Sequence, residues 1–212
     1  MHGWRTTKVV LALALIAGVP AASAQTILQF LEFVQASPFN DGANWFLTEP
    51  LTYQVKGTTE ELSVPCGFVT DFASIPRPFW SLLPTWGKYG PPAVVHDFLY
   101  WDQQCTREQA DRILLLAMEE NDVGPIGRFI IHRAVRWGGA FAWSANAELR
   151  KRQMERTIPD KFWPTDPRTE WAALQAQIHA SGHQPEPRPS PGPVPPYCGA
   201  ADAAWNALEA AR

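Results

Sequence analysis

From Pro91 to Trp101 the chain reads Pro-Pro-Ala-Val-Val-His-Asp-Phe-Leu-Tyr-Trp, an apolar run interrupted by one imidazole and one carboxylate. Such a segment is buried on most sides, and a buried charge costs several kcal/mol unless something pairs with it. His96 and Asp97 are neighbours, and successive helical residues point about 100° apart, so neither can serve the other. Each needs its own partner, and the fold has to supply both.

The residues that follow suggest one of them. Pro91-Pro92 suits a first helical turn. Thr106-Arg107-Glu108-Gln109 reads as a capping box opening a second helix to about Glu120, with Ile113, Leu114, Leu116 and Ala117 facing inward. Helices joined by a short loop pack antiparallel. That returns Asp111, in the first turn of the second helix, to the side of His96. A third helix is expected from Pro125 past Trp137, with Ile126, Phe129, Ile130, Ala134 and Trp137 on its apolar face. Gly138-Gly139 should interrupt it.

Ahead of these helices lie strand-like pieces, Thr26–Val34, Trp45–Val55 and Glu60–Val69, punctuated by Asn40-Asp41-Gly42 and Lys56-Gly57. Residues 71–92 carry five prolines and two glycines and read as a tightly packed loop. The fold class is therefore α+β: small antiparallel strands, then three packed helices carrying the His-Asp motif. A Pro-rich tail with one short helical piece follows, expected to be partly disordered. The expected divisions are 1–24, 25–150 and 151–212.

Residues 1–24 have a basic start (Arg5, Lys8), the apolar run Val9–Val19 and Ala22-Ser23-Ala24, the pattern of a secretory signal peptide. The protein is thus expected to be exported, periplasmic or secreted, with no transmembrane segment after processing. Three cysteines follow, in a compartment that permits disulfides, and Cys66–Cys105 is the preferred pair because both flank the His-Asp region. With 18 basic and 21 acidic residues the net charge is −3, which gives no basic field for nucleic acid.

A carboxylate on one imidazole nitrogen fixes the tautomer and leaves the other nitrogen as a base. Asp97 and the loop carboxylate Asp71 are left as oxygen ligands, a set suited to calcium. His-Asp-Phe-Leu-Tyr resembles the His-Asp-x-x-Tyr core of the secreted phospholipase A2 superfamily, and Thr70-Asp71-Phe72-Ala73-Ser74 resembles the calcium loop of its bacterial members. The resemblance implies His96 as the base that activates water and Asp111 as its orienting carboxylate. Asp97 and Asp71 would be metal ligands, calcium the cofactor, and a lipid or other envelope component the partner. Four blocks (67–79, 93–100, 110–118 and 134–139) resemble more closely an uncharacterised bacterial and phage family, domain of unknown function 1353, over about 45–143.

Two other readings compete with a lipid esterase. A phosphohydrolase of the His-Asp type needs a further upstream histidine, and residues 25–95 contain none. A non-catalytic module of the envelope or of phage origin would use the same polar cluster as internal glue. Within that reading Asp97 accepts amides of the Asp71 segment, Arg77 competes for an aspartate, and His132 is an ordinary surface or core residue. Trp80, Trp86 and Trp101 are either pocket walls or core.

Overall fold

In the computed structural model, residues 30, 32–72, 87–185 and 193–210 are described. The expected signal peptide, Arg77, Trp80 and Trp86 lie outside them.

The β-branched and aromatic pieces between residues 36 and 70 form two small antiparallel sheets. β1 (Ala36–Pro38), β2 (Trp45–Leu47) and β5 (Val69–Thr70) form one, in the order β1-β2-β5; β3 (Leu51–Gln54) and β4 (Glu61–Val64) form the other. Asp41 closes the first hairpin by accepting the amides of Ala43 and Asn44, and Gly57, at φ +72°, turns the second. Residues 26–29 and 31 of the first expected strand lie outside the described residues. Of Thr26–Val34, only Phe30 makes a bridge, to Tyr53, among the described residues.

The three expected helices are α1 (Gly90–Asp102), α2 (Arg107–Glu120) and α3 (Pro125–Lys151), each packed against the other two. α1 starts on its two prolines, and the Thr106–Gln109 capping box is complete in both directions. Ile113, Leu114, Leu116 and Ala117 are buried with α1 and the β3–β4 sheet in the main core. A smaller core joins Phe46 and Val69 of the three-stranded sheet to Ile158 and to Trp171, Leu174 and Ile178 of α4 (Trp171–Ala180). No described helix is long and apolar enough to cross a membrane.

Three expectations are corrected. Gly138-Gly139 does not interrupt α3; Gly139 is where α3 meets Tyr100, and a Cβ there would lie 2.5 Å from the phenol oxygen. The apolar face assigned to α3 is split: Ile130 packs against the main core and Ala134 is half-buried, while its other members point outward. Ile131 and Val135 point inward, whereas Ile126, Phe129 and Trp137 are exposed. The disulfide joins Cys105 to Cys198, and Cys66 is a free thiol donating to the carbonyls of Leu47 and Thr48. Its cause is α5 (Pro196–Ala210), a helix that the Pro-rich composition around it does not announce. α5 packs on α2, and Asp202 takes Gln109 and Arg112 as partners.

Candidate functional site

Eleven of the 13 residues of α1 are buried, so its polar side chains must find partners inside the protein. His96 is 4% exposed and Asp97 7%. They face different elements, and each meets a distinct set of donors.

His96 faces α2. Its Nε2 lies 3.1 Å from Oδ1 of Asp111, and the same oxygen accepts the Tyr100 hydroxyl at 2.6 Å. Oδ2 of Asp111 accepts Nη1 of Arg107, one turn earlier on α2, at 3.2 Å. The imidazole also packs on the Tyr100 ring, with centroids 4.1 Å apart. Burial, and then the bonded charge of Asp111, push the Tyr100 phenol far above its usual range, so it stays protonated and donates. One carboxylate thus collects an imidazole, a phenol and a guanidinium. Trp143 and Gly139 of α3 close the far side of Tyr100.

Asp97 faces the exit of β5. Its Oδ2 accepts the Thr70 hydroxyl at 2.5 Å and the Asp71 amide at 3.3 Å, and the Thr70 hydroxyl oxygen accepts the Phe72 amide at 3.0 Å. Phe72 has φ +56°, a left-handed conformation unusual for a bulky residue, and these bonds hold the chain there. The Asp71 carboxylate points away to Arg156, 3.9 Å distant.

Arg156 was not singled out from the sequence. It donates to the Val69 carbonyl and to Asn146 and lies over the Phe68 ring, joining β5 to α3. No local signal marks it, because Val69 and Phe68 are remote in sequence and Asn146, ten residues back, is beyond helical spacing. Arg107 was recognisable in principle, since it stands four residues before Asp111, the spacing of a helical ion pair.

The structure therefore brings His96, Asp111 and Tyr100 together, and Asp97 with the backbone of Asp71. Calcium needs six to eight oxygen ligands. Here Asp97 Oδ2 accepts an O–H and an N–H, and Asp71 Oδ1 faces a guanidinium; residues 73–86 of the loop that would complete an oxygen shell lie outside the described residues. Among the described residues no group of three or more His, Cys, Asp or Glu side chains is arranged to hold a metal. His132 is half-buried on α3, and Trp101 is core.

Residues 45–135 match the family model described as a protein of unknown function (DUF1353). The matched span runs from β2 into α3 and takes in Asp71, His96, Asp97 and Asp111, but neither Arg156 nor Cys198. No curated protein and no solved structure matches the chain. The likeness to secreted phospholipases A2 gains no support from these comparisons.

Proposed function

We propose that the α1–α2 cluster is a general-base centre and that the protein is an exported hydrolase of carboxylic esters, with envelope lipids as the substrate class. The observation that supports this reading is the Asp111 carboxylate, held by Tyr100 and Arg107 and set against His96 Nε2 at 3.1 Å. A carboxylate there favours the tautomer with its proton on Nε2 and leaves the lone pair on Nδ1. Water attacking an ester carbonyl would pass its proton to Nδ1. The imidazolium, stabilised by Asp111, would return that proton to the departing alkoxide, yielding acid and alcohol. No step is assigned to calcium. Export is supported by the signal-like residues 1–24 and by the Cys105–Cys198 bridge, which belongs in an oxidising compartment.

A second reading, a non-catalytic module of the envelope or of phage origin, draws on the near-complete burial of His96 and the use of Asp97 as a backbone clamp. His96→Ala and His96→Asn, assayed on short- and long-chain esters beside thermal melts, separate the two. Loss of turnover in a variant that still melts near the wild type supports the hydrolase. Wild-type turnover in both variants, or no turnover on any ester by the unmutated protein, refutes it and leaves the module.

A further inference from the structure

The outer face of α3 is apolar where solvent would call for charge. Ile126, Phe129, Trp137 and Phe141 are 76, 64, 83 and 83% exposed. At 3.6 residues per turn they fall on one stripe about 22 Å long. Arg133 stands in the middle of it, its guanidinium 5.9 Å from the ring centres of both Phe129 and Trp137. Exposed apolar patches of this extent mark interaction surfaces.

Charge selects the occupant. From Pro125 to Ala147, α3 carries Arg128, Arg133 and Arg136 and no acidic residue, although the chain as a whole is at −3. Arg128 is engaged by Glu119 at 3.1 Å, while Arg133 and Arg136 are on the exposed side. A second copy docked on this stripe would bring the Arg133 and Arg136 guanidinium groups of both together, while the one carboxylate of the helix, Glu148, stands at its far end and is already bonded to Lys151. An anionic bilayer surface would accept both parts: the rings enter the boundary between headgroups and acyl chains, and the arginines reach up to phosphate.

We infer that the outer face of α3 is an interfacial membrane-docking surface for anionic phospholipid, with the helix lying in the membrane plane. The inference uses no residue of the His96 cluster and stands apart from the hydrolase reading. α3 then has two jobs on opposite sides, since Gly139, against Tyr100, is on the inner one.

The test is co-sedimentation of the full chain with vesicles of equal parts phosphatidylglycerol and phosphatidylcholine, and with phosphatidylcholine alone. The paired variant Trp137→Ala/Phe141→Ala is run beside it. Both proteins carry the same N-terminal residues, so a difference between them reports α3. The expected result is at least tenfold weaker partitioning of the paired variant to anionic vesicles at an unchanged melting temperature. Arg133→Glu/Arg136→Glu should erase the preference for anionic over neutral vesicles. Equal partitioning of wild type and paired variant overturns the inference. So does a dimer in sedimentation velocity that the same substitutions split, which would give the face to a second copy.

Discussion

Asp97 and Asp111 sit on adjacent packed helices, both largely buried, and differ in what surrounds them. Asp97 is held by a hydroxyl and a main-chain amide from the end of β5. Asp111 is held by a phenol, a guanidinium and an imidazole, all from α1 and α2. Neutral donors from the main chain and its nearest hydroxyl make Asp97 a clamp on local geometry, the strained turn at Phe72 included. Side-chain donors from two helices make Asp111 the meeting point of the cluster, the carboxylate that orients His96 in the proposed function. Burial alone would have ranked the two alike; the chemistry of the donors separates them.

The comparison can be broken from either side. Asp111→Asn keeps the shape but replaces an anion with an amide, so ester turnover should fall about a hundred- to ten-thousand-fold. Steady-state kinetics on any ester the wild type cleaves measures it, and turnover within twofold of wild type would count against the division of roles. Asp97→Ala should leave the Thr70 hydroxyl and Asp71 amide buried without their acceptor, costing about 3 kcal/mol in denaturant unfolding. Asp97→Asn, which keeps an acceptor, should cost about 1 kcal/mol.

Gly139→Ala sharpens the contrast, because its new Cβ would press on the Tyr100 hydroxyl and leave Asp97 untouched. Overpacking costs about 1–3 kcal/mol against a helix-propensity gain of about 1 kcal/mol, so a net loss of up to about 2 kcal/mol is expected. Tyr100 would also be drawn off Asp111, and an accompanying fall in turnover would register that.

A third carboxylate serves as the control. Glu120, at the end of α2, takes the Tyr53 hydroxyl at 2.7 Å, but its other oxygen is buried without a hydrogen bond. Burial pushes its carboxyl up to about 7, from an ordinary value of 4.5. The folded protein therefore keeps a proton that the unfolded chain has released, and stability declines as pH rises from 4.5 to about 7 and levels off above. Glu120→Gln should flatten that slope and stabilise the protein at pH 8 by about 1 kcal/mol, allowing for solvent screening. Urea melts across pH provide the check.

What was legible in the sequence was what neighbours in sequence decide. The capping box, the proline start of α1 and the helical hairpin suffice to set Asp111 beside His96. Tyr100, one turn after His96, reads equally well as core filling or as a donor to Asp111, and only the packed helices decide for the hydrogen bond. The inward face of α3 was not, because both faces of that helix are apolar and periodicity cannot say which one meets α1 and α2. Gly138-Gly139 reads as a break until Tyr100 is known to lie against it. Arg156 and Cys198 act on residues more than 80 positions away, and composition around α5 favours extended chain. Those contacts follow from tertiary packing, not from any local pattern.

The Cys105–Cys198 bridge sets a condition on how the protein is made. Cys66 and Cys105 leave the ribosome before Cys198, so the first two thiols to meet an oxidant are not native partners. Correct pairing has to wait until α5 is synthesised and docked on α2. An oxidant acting too early would trap Cys105 with Cys66, and a thiol–disulfide isomerase would then be required to release it.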